Sequence, residues 1–198
     1  IAHDKNVYSI NKKELTVIKK AEYRPSQDGH YLSQSISLLN HKTLTPLRKF
    51  ILKKAKEYTR TILEIKDDIY MTQSWSTINT TNASHKPHIH PNTFISVVYY
   101  AQCKDDFLFF DLHGSSLRDC FNFQYTINKF NIYNSSVWEL PVQTGDMVLF
   151  PGHIHHGSTC NKSNEPRIVI GANFFIKGKL GSKQYVDLIG VQPLDLKK

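Results

Sequence analysis

Beyond residue 69 the chain is a run of short apolar, aromatic and β-branched segments, at residues 69–80, 94–100, 107–111, 125–133, 137–140, 147–150 and 167–176. Side chains of these types suit a pleated, half-buried surface. Turn-forming clusters lie among them: His113-Gly114-Ser115-Ser116, Asn134-Ser135-Ser136, Thr144-Gly145-Asp146 and Asn161-Lys162-Ser163-Asn164. Strands this short and this regularly interrupted predict an antiparallel sandwich or barrel of roughly eight strands.

A long helix is predicted upstream. Leu47, Phe50, Ile51, Ala55, Tyr58 and Ile62 recur on one stripe of a 3.6-residue repeat. Thr45 is the expected N-cap and Pro46 the first helical residue, where its missing N–H costs nothing. Residues 31–40 predict a short helix and residues 24–29 a loop. The expected organisation is a single domain, with a helical support region over 1–68, a β core over 69–176 and an extension over 177–198. A chain of 198 residues, 40% of them hydrophobic, can bury a sizeable core. Its apolar runs fall far short of the ~20 residues that cross a bilayer, so no membrane helix is expected. Residues 1–8 show no apolar stretch of a secretory signal.

The formal charge of +8 permits a polyanionic partner. Much of the excess sits at Lys12, Lys13, Lys19 and Lys20 and along residues 48–60, which reads as the solvated face of the helix. No nucleic-acid motif accompanies it. Cys103, Cys120 and Cys160 are odd in number and far apart, without a CxxC pair. That pattern fits a reducing, cytoplasmic setting and argues against a disulfide framework or a Cys-ligated zinc.

Histidine placement carries the chemistry. His85, His88 and His90 share one short segment, and His153, His155 and His156 another. Residues i and i+2 of a strand point to one face, so His88 and His90 can direct both imidazoles at one ion before Pro91 turns the chain away. A third ligand must come from elsewhere, and His156 follows the strand that ends at Pro151. Three ligands on one face of a metal leave neighbouring positions free for a chelating substrate and O2.

At this point the chain resembles the 2-oxoglutarate/Fe(II)-dependent dioxygenases, whose double-stranded β-helix carries an HxD or HxE motif, a distant His and an Arg about ten residues beyond it. The corresponding residues are His88-Ile89-His90, His156 and Arg167, the last eleven positions after His156. Ser74-Trp75, His85 to Asn92 and Ser96 to Tyr100 are similar to a prolyl-hydroxylase-like subgroup common in bacteria and their phages. So are Gly145 to Pro151, His156-Gly157, Asn161, Arg167-Ile168 and Asn173. The resemblance implies a mainly β, jelly-roll or cupin-like fold with flanking helices. It also implies Fe(II) as cofactor, 2-oxoglutarate as cosubstrate, and hydroxylation with O2 that yields succinate and CO2. Arg167 would pair with the distal carboxylate of 2-oxoglutarate, a bidentate charge-assisted contact, and Tyr100 would join it. Trp75 and Phe109 are expected to fill core.

One departure stands out. The carboxylate position of the motif is His90, so carry-over gives three neutral histidines, His88, His90 and His156. Asp111 is the candidate for an alternative ligand or a partner of a ligand, and a shifted register would put Asn92 at that place. His85, His153 and His155 are expected at the entrance or behind the ligands. The small hydroxyl residue usual two positions beyond the Arg is replaced by Val169. Peptidyl proline is the substrate class that the nearest relatives suggest, with specificity expected in residues 112–122 and the N-terminal region. Two other readings remain: a cupin-type metal enzyme that does not use 2-oxoglutarate, and a non-catalytic basic module for a protein or nucleic acid.

Overall fold

The N-terminal quarter supplies β1 (Ala2–Asp4), α1 (Lys12–Lys19), β2 (Tyr23–Pro25), β3 (Tyr31–Ser33) and α2 (Thr45–Glu57). The strands that follow are β4 (Asp68–Asn79), β5 (His85–His88), β6 (Ile95–Gln102), β7 (Asp106–Asp111), β8 (Val137–Val142), β9 (Met147–Pro151), β10 (His155–Ser158), β11 (Arg167–Leu180) and β12 (Ile189–Val191). This computed structural model describes residues 1–26, 28–112, 126–180 and 189–191.

Strands β4 to β11 divide into two four-stranded antiparallel sets, β9-β6-β11-β4 and β5-β10-β7-β8. Side chains of both pack into one apolar layer, in which Tyr100, Val148 and Phe150 meet Leu108, Phe110 and Val142. The fold is a double-stranded β-helix. The larger sheet is widened by β1 beside β9, by the β2–β3 hairpin beside β4, and by β12 on β11.

The period of two sorts each strand of the larger sheet between two cores. Ile95, Val97, Tyr99 and Ala101 of β6, with Ile168, Ile170, Ala172 and Phe174 of β11, face Leu47, Ile51 and Ala55 of α2. Alternate residues, among them Tyr100, Arg167, Val169 and Gly171, face the smaller sheet and its cavity. Arg167 and Tyr100 therefore reach the interior by strand parity.

Several local expectations are corrected. Leu44, after a 3₁₀ turn at Lys42–Leu44, occupies the N-cap of α2 without a side-chain bond, and Thr45 and Pro46 lie inside the first turn. The helix runs into a π turn at Tyr58–Ile62, which changes its phase. Tyr58 stays buried while Ile62 is 58% exposed. Within 31–40 the chain forms β3 and a 3₁₀ turn at Leu38–Asn40 in place of a helix, and Arg24 and Pro25 belong to β2. Pairing of β3 with Ile78 and Thr77 of β4 decides this, a long-range contact that local propensity does not report. Residues 126–133 contain no strand. Tyr125, Cys120, the turn at 113–116 and most of the segment 112–122 lie outside the described residues.

Two features went unpredicted. Helix α1 opens on a capping box: Asn11 accepts from the Glu14 N–H at 3.0 Å, and Glu14 accepts from the Asn11 N–H at 3.1 Å. Strand β1 pairs with β9 and is tied down by Asp146, which accepts from the Asn6 N–H and contacts His3.

Candidate functional site

Strand β10 lies between β5 and β7, and its register sets His156 opposite His88 on one side and Phe110 on the other. Strand β5 ends at His88, so His90 lies in the connection beyond it, where its N–H donates to the Gly152 carbonyl at 2.9 Å. The expected single strand through both histidines is therefore corrected: a turn brings His90 round. His88, His90 and His156 each offer a ligand atom, all within 4.8 Å of one another.

Local hydrogen bonds aim these atoms. Nδ1 of His88 lies 2.9 Å from the Lys86 carbonyl, and Nδ1 of His156 lies 2.9 Å from the Ile154 carbonyl. Donation there leaves each Nε2 lone pair free. Nε2 of His90 is 3.2 Å from Nε2 of His156. Two cis ligands at metal–nitrogen bonds of about 2.1 Å would stand about 3 Å apart, so this spacing fits a bound ion. Burial pushes His156 down to about 2, with the neighbouring His88 adding to it, and the same two causes take His90 down to about 4. Neutral imidazole is the form that ligates. The donor set thus suits a divalent first-row metal such as iron.

These buried imidazoles have a pH consequence. Their folded pKa values, with that of His85 at about 3, lie below the unfolded value of about 6.5, so between these limits the unfolded chain binds more protons. Stability is expected to be fully present above about pH 6.5 and to fall as pH drops, by up to about 1.4 kcal/mol per unit per histidine. Melting temperatures of metal-free protein at pH 7.5, 5.5 and 4.5 check this; a flat profile contradicts it.

Close approach of β5 to β10 depends on Gly157. A Cβ there would meet the His85 carbonyl oxygen at 2.4 Å and the Phe109 ring at 2.5 Å. Gly157→Ala must push β5 off β10 and carry His88 away from His156. The expected cost is about 1–3 kcal/mol of stability, as in overpacked cores, with at least about tenfold weaker metal binding when a ligand is displaced. Denaturant melts and metal titration of the variant measure both.

The cavity at the triad continues between the sheets to Tyr100, Ser158 and Arg167. Arg167 is 2% exposed, donates from Nη2 to Ser158 Oγ at 2.6 Å, and pairs through Nη1 with Asp106. Burial pushes the Tyr100 phenol well above its usual range, keeping it a protonated donor. Trp75, expected in the core, is instead a cavity wall, its ring 5.4 Å from that of His90. Gly171 makes room, since a Cβ there would meet the Trp75 indole at 2.5 Å. A second cleft of about 270 Å³, bounded by the β2–β3 hairpin through Arg24, His30 and Leu32, shares Trp75 and the triad's His88 and His90 with the first.

Other expected residues fall elsewhere. Asp111 pairs with His155, one position out of phase with His156, and is not in the converging group. His153 and His155 are exposed. His85 stacks between His30 and His88, at ring separations of 4.2 and 4.3 Å. Asn92 forms the turn after His90 with φ of 56°. Asn173, part of the sequence pattern with no role of its own there, places its side-chain amide 3.5 Å from His90 Nδ1.

The family described as "Putative 2OG-Fe(II) oxygenase" matches residues 73–173, just over half the chain and the span that holds the triad and Arg167. No curated protein matches the sequence. Among solved structures, a prolyl-4-hydroxylase from Pseudomonas putida is similar at a TM-score of 0.57 and 12% identity, over 89% of this chain and 92% of that one. HygX from Streptomyces hygroscopicus, solved with nickel, 2-oxoglutarate and hygromycin B bound, gives a TM-score of 0.55 at 9% identity, over 87% and 81%. The α-ketoglutarate-dependent epimerase SnoN of nogalamycin biosynthesis gives 0.60 at 10% identity, over 87% and 77%. At such identities the structural likeness is one of fold. Together with the sequence match across that fold's core, it establishes that the chain belongs to the 2OG-Fe(II) oxygenase family.

Proposed function

We propose that this chain hydroxylates a C–H bond of its substrate, with His88, His90 and His156 holding Fe(II) and with Arg167 and Tyr100 receiving the distal carboxylate of 2-oxoglutarate. The observation that carries this reading is one cavity with three converging imidazoles on its wall and a buried guanidinium and phenol farther along it. The reaction consumes O2, 2-oxoglutarate and R–H and yields succinate, CO2 and R–OH. Iron, when bound, supplies the redox chemistry that couples these changes.

The chain's own residues bind and orient. His88, His90 and His156 would hold the ion as neutral imidazoles, and as only three protein ligands they would leave room for a chelating keto acid and for O2. Nη2 of Arg167 and the Tyr100 hydroxyl donate hydrogen bonds to the distal carboxylate and so fix the direction of the cosubstrate. Trp75 and Val98 wall the cavity with apolar surface and limit water. The substrate enters by the cleft under the β2–β3 hairpin, which opens beside His88 and His90. Peptidyl proline is the substrate class we favour, supported by the fold shared with a prolyl-4-hydroxylase. Cys103 and Cys160 are free thiols, which supports a cytoplasmic setting. No helix among the described residues is long and apolar enough to cross a membrane.

An anaerobic visible spectrum tests the assignment. Fe(II) and 2-oxoglutarate together should produce a charge-transfer band that neither gives alone. Iron binding without a band would favour the cupin-type alternative, and no iron binding would favour a non-catalytic module.

A further inference from the structure

Asp106 is 4% exposed, and the reaction above does not use it. Its Oδ1 accepts from the Phe107 N–H at 2.7 Å and from the Thr159 hydroxyl at 2.8 Å, while Oδ2 accepts from Nη1 of Arg167. Nη1 also donates to the Thr159 carbonyl at 3.2 Å, so both of its hydrogens are spent. Ser158 and Arg167 line the cavity, whereas Asp106 and Thr159 do not. The carboxylate therefore sits behind the guanidinium, and of the two Nη2 hydrogens one goes to Ser158 Oγ, which lines the cavity, and the other is left for a ligand.

Charge counting gives this arrangement a role. Three neutral imidazoles leave a dication uncompensated, and dianionic 2-oxoglutarate cancels it. Arg167 then adds one positive charge, and the Asp106 carboxylate removes it. We propose that Asp106 sets the affinity of the cavity for dicarboxylates. By neutralising Arg167 from behind, it makes the distal carboxylate of 2-oxoglutarate, and of the product succinate, bind a neutral pair and not a bare cation, so that both dissociate readily. This rests on the reading that Arg167 receives that carboxylate.

Asp106→Asn keeps the shape of the side chain and removes its charge. Calorimetric titration of the Ni(II)-loaded variant should show 2-oxoglutarate and succinate each binding about tenfold tighter, the order expected of one unit charge in a protein cavity. Turnover should fall as succinate leaves more slowly. His90→Asp adds an anion at the metal and should weaken 2-oxoglutarate binding by a similar factor, and the double variant should return near the starting affinity. A purely structural Asp106 gives neither tightening nor cancellation, and that result overturns the proposal. If Asp106→Asn does not fold, the unaltered protein decides. Against 2-oxopentanoate, which has a methyl group in place of the distal carboxylate, the expected loss of affinity stays below about a hundredfold, the worth of a hydrogen bond to a charged group. A loss of about a hundredfold or more shows Arg167 acting as a free cation and overturns the proposal. Absence of 2-oxoglutarate binding, or an affinity left unchanged by Arg167→Met, overturns the functional reading itself and with it this inference.

Discussion

His156→Ala is expected to yield a folded protein that no longer retains stoichiometric Fe(II). The imidazole is 4% exposed and fixed through Nδ1 to the Ile154 carbonyl. It stands opposite His88 across the β5–β10 pairing, with its Nε2 3.2 Å from that of His90. Without it two imidazoles remain, and no carboxylate among the described residues converges with them. Losing a partner of a metal ligand typically costs 10–100-fold in affinity, so losing a ligand should cost more than about 100-fold. Folding should survive, because β10 is held by backbone pairing to β5 and β7 on both sides. Iron content after anaerobic dialysis measures the outcome, and full occupancy in the variant would remove His156 from the ligand set.

The second large effect belongs to Arg167→Met. Metal affinity should persist, because the triad is untouched, while 2-oxoglutarate should bind about a hundredfold or more weakly, because the guanidinium is gone and the Asp106 carboxylate behind it is left to repel the distal carboxylate. A stability penalty comes with it. The substitution leaves the Asp106 carboxylate buried without its ion-pair partner, a change that typically costs 3–5 kcal/mol. Asp106→Asn combined with Arg167→Met removes both charges and should recover most of that stability, while 2-oxoglutarate still binds more weakly than to the unaltered protein. Urea melts separate the two effects from a metal titration run on the same proteins. Unchanged affinity for 2-oxoglutarate in Arg167→Met would contradict the role given to the guanidinium.

Much of this site is visible in one dimension because its chemistry needs particular atoms. The HxH pair, the later His156 and an Arg eleven residues on are marked by residue type and spacing. The larger strands are visible because β6, β9 and β11 are rich in apolar and β-branched residues. Strands β5 and β10 are not, since His85-Lys86-Pro87-His88 and His155-His156-Gly157-Ser158 offer no alternating apolar pattern. Their pairing is imposed by the sheet and by the tight approach at Gly157. Asp106 reads as part of a polar turn, Lys104-Asp105-Asp106, until β7 and β11 bring it to Arg167. The helix behind Asn11 goes unpredicted although Asn11 and Glu14 carry the N-x-x-E spacing of a capping box, and β1 becomes a strand only through β9, far along the chain. Trp75 has the composition of a core residue, and the absence of a side chain at Gly171 opposite it makes it a cavity wall.

The interleaving of the two sheets dictates an order of assembly. Among the pairings that join β4 to β11 to one another, only β7 with β8 links strands adjacent in sequence among the described residues. The central strand β11 is nearly the last of the fold to be made, yet it must insert between β4 and β6. Folds dominated by such distant pairings gain little until the long loops have closed, and they form slowly, on a scale of milliseconds to seconds. A growing chain that already carries His88 and His90 therefore has no second sheet to hold them against His156. The three-histidine site exists only once β5 and β10 have paired, so a metal held there would follow the pairing of these strands and could not be the nucleus of folding.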